Sequence, residues 1–168
     1  MTQEPPLRGL DLLRTLREHE VEFVVIGGFS LAAHGFTRGT KDVDIVPEPS
    51  RSNLERLLAA LAALDAEPLE TGDFQLEEMP VALDLEGLSG GGNWALRTTY
   101  GRLDVMQHVS GVDGYEALRA RAVEETIPEV GGGVWFAGRD DLIRMKAAAG
   151  RPQDIVDIQA LERARGAT

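Results

Sequence analysis

The chain has no cysteine, so disulfides, thiolate nucleophiles and thiolate metal sites are all excluded. Its histidines number three, His19, His34 and His108, and their spacing matches no zinc-ligand pattern. No G-x-S-x-G elbow surrounds Ser30, which speaks against reading that serine as a hydrolase nucleophile. Long apolar runs are missing too. The start MTQEPPLRGLDLL has no basic segment leading into an apolar one, and no stretch is long enough to cross a bilayer. A cytoplasmic protein without a membrane partner is therefore expected. Basic residues are scarce, 17 Lys and Arg against 28 Asp and Glu, for a formal charge of −11. That charge argues against broad, non-specific attraction to nucleic acid or an anionic membrane, although a pocket or a bound metal can reverse the field locally. Trp94 and Trp135 read as core or hairpin anchors rather than a base-stacking platform.

What is present is 43% apolar residues in 168, enough for one domain with its own core. We expect a single domain over 1–168, with residues 139–165 as a C-terminal helical pair packed on it. Leu10, Leu13 and Leu16 recur at helical spacing in 8–20, and EFVVIG then reads as a strand entering a glycine turn. Residues 28–34 suit a short helix ended by His34. DVDIV alternates carboxylate and aliphatic side chains, the period of a half-buried strand, and Pro47 and Pro49 stop it. Ser50 caps the next helix, whose face is Leu54, Leu57, Leu58, Leu61 and Leu64. VALDLE at 81–86 suits a strand with Asp84 and Glu86 at its solvated end, and GLSGGGN at 87–93 a loop. WALRTT and RLDVMQ flank Tyr100-Gly101 as a hairpin. A helix near 113–125, a strand at 133–136, and helices at 140–149 and 153–164 complete the chain. Ile155, Ile158 and Leu161 mark the apolar face of the last helix. The expected fold class is α+β, a mixed and largely antiparallel sheet flanked by helices.

The one organised placement of charge is GGFSLAAHGFTRGTKDVDIV, residues 27–46. Asp42 and Asp44 stand two apart on a strand, so they share a face with Cα atoms about 6.6 Å apart. Paired carboxylates repel, and one tends to keep its proton unless a cation removes the repulsion. Mg²⁺ suits such a pair, because it takes hard oxygen ligands and keeps waters that substrate phosphates can replace. Gly27-Gly28 lacks the Gly-Lys-Ser/Thr of a P-loop and is not G-x-G-x-x-G. By itself it reads as a structural turn, yet its place before a short helix suits phosphate on backbone N–H groups. Asp104 in RLDVMQ lies on a strand with Leu103 and Val105 opposite, so a return strand can bring it to the first pair.

In these features the chain resembles the nucleotidyltransferase superfamily of the DNA polymerase beta type. It is particularly similar to the small bacterial members related to the AbiEii and MenT toxin enzymes. VVIGGFSLAAHG, TKDVDIV and RLDVM match the family's strand, glycine turn, D-x-D and later third carboxylate. The tail DLIRMKAAAGRPQDIVDIQAL matches its C-terminal lysine and acidic residue, which fall on Lys146 and Asp154 here. The resemblance implies a transferase that binds a nucleoside triphosphate, ATP among them, and moves its nucleoside monophosphate to a hydroxyl or phosphate. Mg²⁺, with Mn²⁺ as a substitute, would sit on Asp42, Asp44 and Asp104. Gly27, Gly28, Ser30, Arg38, Thr40, Lys146 and Asp154 would meet the nucleotide. A tRNA or protein acceptor and an antitoxin partner belong to the same implication. Two rivals stay open: a nucleotide-binding or partner-binding protein without turnover, and a phosphoryl hydrolase. Judged by its own surroundings, Lys146 lies near its helix's apolar face and suits a snorkelling role as well as a phosphate contact. Arg151 and Asp154 suit a local ion pair, and Asp157 a solvent-facing position.

Overall fold

The computed structural model describes residues 5–69 and 82–166. Among the described residues, seven strands form one mixed sheet in the order β3-β4-β5-β2-β1-β7-β6. They are β1 (Phe23–Ile26), β2 (Asp42–Pro47), β3 (Glu67–Pro68), β4 (Trp94–Thr98), β5 (Gly101–Val105), β6 (Val123–Ile127) and β7 (Gly132–Phe136). Four neighbouring pairs run antiparallel, and two, β2 with β5 and β1 with β7, run parallel. The α+β class with a largely antiparallel sheet is thus what the chain adopts.

Alternation along the central strands splits the apolar residues between two layers. Val25, Val43, Ile45, Leu103 and Val105 point into one, which α1 (Gly9–Glu18), α2 (Arg51–Ala63) and α3 (Leu85–Ser89) cover. Val24, Ile26 and Val46 point into the other, with Leu118 of α4 (Tyr115–Ala120), Leu142 and Met145 of α5 (Arg139–Ala149) and Leu161 of α6 (Pro152–Gly166). Ser50 caps α2 as expected, its side chain accepting from Asn53 N. The β4–β5 hairpin forms as expected, but its turn is Thr99-Tyr100, one residue earlier: Gly101, with φ +107°, already pairs with Thr98 in β5.

Five local expectations are corrected. In α1 the buried stripe is Leu12, Leu13 and Leu16, and Leu10 is 38% exposed. The strand expected over 81–86 begins outside the described residues, and its described part leads into α3, which Asp84 caps by accepting from Gly87 N at 2.8 Å. Gly87, Leu88 and Ser89 therefore belong to a helix rather than a loop. The helix expected near 113–125 ends at Ala120, and Val123–Ile127 is an edge strand paired with β7. Its three central residues are exposed, so no apolar alternation announced it. On α6, Ile155 is 54% exposed and Val156 48%, whereas Asp154 and Asp157 are buried.

Candidate active site

Residues of opposite charge, from β2 and β5 on one side and from α5 and α6 on the other, line one cleft. The parallel register of β2 and β5 puts Asp42 opposite Arg102 and Asp44 opposite Asp104. Because side chains two apart share a face, all three carboxylates stand on the side turned toward the helices. One oxygen from each lies within 4.8 Å of the others. Burial, then the charges of Asp42 and Asp104, push Asp44 up to about 8, and a hydrogen bond with Asp104 adds to this. Burial and the charge of Asp104 also raise Asp42, against the lowering by Arg102. The cluster is therefore short of positive charge. A hard divalent cation fits its all-oxygen donor set and relieves the same imbalance that the proton on Asp44 relieves.

The glycine turn packs directly on this cluster. Gly27 has φ +73°, and a Cβ there would lie 2.1 Å from Asp44 Oδ2. At Gly28 a Cβ would lie 2.8 Å from an Arg38 guanidinium nitrogen and 3.2 Å from Thr40 Oγ1. Ser30 does not line the cleft. It is fully buried, and its hydroxyl donates to the Gly27 carbonyl at 2.6 Å, closing the turn into the 3-10 helix of Gly28–His34. Thr40 Oγ1 donates to the Asp42 carbonyl at 3.2 Å. Gly27→Ala is expected to lower stability by about 2 kcal/mol or more, from the left-handed backbone and the clash with Asp44 together. Gly28→Ala, which meets only side-chain tips, should lose less. Urea unfolding of the two variants measures the difference.

The facing wall is cationic. Lys146 is 6% exposed and donates to Asp157 Oδ2 at 2.8 Å, with Asp154 Oδ1 at 3.9 Å. Arg38 Nε and Nη2 grip the two Asp157 oxygens at 2.9 Å each, and Gln153 adds a bond at 2.9 Å. Asp157 is thus not solvent-facing, as its place in the sequence suggested, but fully buried. Burial alone would raise its pKa; the bonds from Arg38, Lys146 and Gln153 outweigh that and hold it at about 2. Arg151 pairs with Asp154 as expected, through its backbone N at 3.0 Å and Nε at 2.7 Å. Burial opposes the ionised form of Asp154, and those bonds override it to lower the pKa. Lys146 is therefore neither a snorkelling side chain nor free: it is anchored from behind by a buried carboxylate while it lines the cleft.

Trio and cations border one open cleft of about 780 Å³, a size that suits a nucleotide. Gly27, Gly28, Arg38, Thr40, Asp42, Asp44, Asp104, Lys146 and Asp154 all line it. Sequence reasoning missed three contributors. Arg102, two before Asp104 and so on its face, carried a signal in the strand alternation. Asp157 carried one in its i, i+3 spacing from Asp154. Asn93 carried none: it borders the cleft by accepting from Gln107 N and His108 N and donating to the His108 carbonyl, each at 2.9 Å. His34 ends its helix as expected, with Nε2 2.8 Å from the Ala137 carbonyl.

A family model described as nucleotidyltransferase of unknown function (DUF6036) matches residues 9–163. Among solved structures, the antibiotic-resistance factor ANT(2'')-Ia in solution shares the fold with a TM-score of 0.58 at 17% identity, over 94% of this chain and 84% of that one. ANT(2'')-Ia crystallised with adenylyl-2''-tobramycin gives a TM-score of 0.53 at 16% identity, over 93% and 91% of the two chains. None of the curated proteins matches the sequence.

Proposed function

The chain belongs to this DUF6036 family of nucleotidyltransferases, and we propose that it moves a nucleoside monophosphate from a nucleoside triphosphate to a hydroxyl or phosphate acceptor with the help of a divalent cation. The observation that carries this is the pairing of three clustered carboxylates with a wall of anchored cations across one cleft. Asp42, Asp44 and Asp104 would hold Mg²⁺ or Mn²⁺. Bound there, the cation supplies charge compensation for the phosphates and for the attacking oxygen.

This chain's own residues do the rest. Lys146, Arg38 and Arg151 attract the triphosphate, and each is already oriented by Asp157 or Asp154, so little ordering is left to binding. The acceptor oxygen attacks the α-phosphorus in line, and the bond from that phosphorus to the bridging oxygen breaks. Pyrophosphate leaves with the bonding electrons, beside the Lys146 ammonium. Asp104 takes the proton of an acceptor hydroxyl. Gly27 and Gly28 let the turn come close without a Cβ in the way. As acceptors, tRNA, a protein and a small polyol of the tobramycin kind are the classes to compare. The formal charge of −11 gives no long-range pull to the first.

Incubation with each α-labelled triphosphate and Mg²⁺, with these acceptors in turn, is expected to give a labelled adduct and pyrophosphate. Orthophosphate without adduct would point to a hydrolase, and binding without either product to a silent relative. Lys146→Met is expected to weaken triphosphate binding about ten-fold, one charge-assisted contact being lost. It should also lower stability, because Asp157 loses a partner. Calorimetric titration and thermal unfolding read the two effects, and an unchanged dissociation constant would confine Lys146 to packing.

A further inference from the structure

On β2 and β5 four charged side chains form a square on one face, with Asp42 beside Arg102 and Asp44 beside Asp104. Arg102 differs from the anchored cations of the facing wall. Arg38, Lys146 and Arg151 are held by α6, on the far wall, whereas Arg102 sits among the carboxylates themselves. Its Nε and Nη2 donate to the two oxygens of Asp104 at 2.9 and 3.1 Å, and Nε lies 3.9 Å from Asp42 Oδ2. Both Asp104 oxygens are engaged by one rigid fork, and the side chain is 32% exposed at the cleft.

We propose that Arg102 is a positioning residue that holds Asp104 in the nucleotide-free protein and makes divalent-cation binding depend on the nucleotide. The proposal rests on the nucleotidyl-transfer function given above. A planar guanidinium matches a carboxylate with two parallel bonds, so it fixes the direction of Asp104 as well as its charge. The same positive charge repels a cation that approaches the trio alone, and at such short range this repulsion is large. Phosphates arriving with the cation give the guanidinium a second anion to face and offer the cation further oxygen ligands. Nucleotide and cation then favour each other's binding, and the coupling is reciprocal.

The test is titration of Mn²⁺, followed by electron paramagnetic resonance, into wild type, Arg102→Gln, Arg102→Lys and Asp44→Asn. Each is measured with and without an α,β-methylene triphosphate analogue. Without nucleotide, Arg102→Gln is expected to bind Mn²⁺ about ten-fold tighter than wild type, one repelling charge being gone. Arg102→Lys keeps the charge but not the fork, and should stay within about two-fold of wild type. The analogue should tighten Mn²⁺ binding by a larger factor in wild type than in Arg102→Gln. Nucleotide-free binding by Arg102→Gln that is equal to or weaker than that of wild type overturns the proposal. Where Asp44→Asn loses Mn²⁺ at the same time, the three-carboxylate cation site on which the proposed transfer rests stands, and the role of Arg102 alone falls. Absence of Mn²⁺ binding in every protein, analogue included, overturns both. If Arg102→Gln does not fold, wild type still decides: Mn²⁺ binding as tight without the analogue as with it removes the dependence.

Discussion

Asp44→Asn is expected to reduce nucleotidyl transfer by about 10³-fold or more while raising the stability of the metal-free protein at alkaline pH. The substitution keeps the volume and removes an anionic ligand from the centre of the trio. The stability effect follows from the raised pKa. Asp44 holds its proton in the folded protein up to about 8, whereas in the unfolded chain it loses it near the ordinary carboxylate value. The folded state therefore binds more protons in that interval, and wild-type stability falls as pH rises toward about 8, then levels off. A side-chain amide at this position carries no such proton, so the variant should lack this decline. Urea unfolding in chelator between pH 5 and 9 checks it. Mg²⁺ should lift the wild-type curve most at the alkaline end. A wild-type profile that is flat over this range, or turnover by Asp44→Asn at the wild-type rate, would remove Asp44 from the centre of the site.

Asp157→Asn should give the largest loss of stability, about 3 kcal/mol. One fully buried carboxylate accepts from Arg38, Lys146 and Gln153. Its neutralisation leaves the nearly buried Lys146 with Asp154, at 3.9 Å, as its acidic neighbour. The pH dependence has the opposite sign to that of Asp44. A carboxyl held at about 2 contributes stability that is complete above the unfolded value and is lost as pH falls through about 2. The variant should show less acid sensitivity in that window. Triphosphate affinity should drop about ten-fold as well, because Arg38 and Lys146 lose the anchor that aims them at the cleft. Equilibrium unfolding and calorimetric titration measure both. Full stability with unchanged affinity would mean that Arg38 and Lys146 are oriented by something other than Asp157.

The two predictions act on opposite walls and differ in kind. At Asp44 the protein tolerates an electrostatic imbalance that suits a cation, which is stability given up at the proposed metal site. At Asp157 it neutralises a buried charge as completely as hydrogen bonding allows. A cleft built this way anchors the cations of one wall and leaves the carboxylates of the other short of positive charge.

Local chemistry in the sequence determined much of this protein. The i, i+2 aspartates of β2, the alternation around Asp104, the Ser50 cap and the β4–β5 hairpin each depend on residues a few positions apart, and each is written in the chain. So is the mixed sheet, through strand and helix periods that differ. Edge strand β6 was not legible, because its exposed centre carries no apolar alternation and only pairing with β7 makes it a strand. The inward face of α6 was read only in part, Leu161 being buried as expected, for a related reason. Apolar periodicity assumes an apolar interior, but this helix buries Asp154 and Asp157 and leaves Ile155 and Val156 exposed. A buried carboxylate is stable only beside its cations, and Arg38 lies 119 positions away in the chain from Asp157. The tertiary structure alone decided that partnership, as it decided the parallel register that sets Asp44 against Asp104 and Asp42 against Arg102.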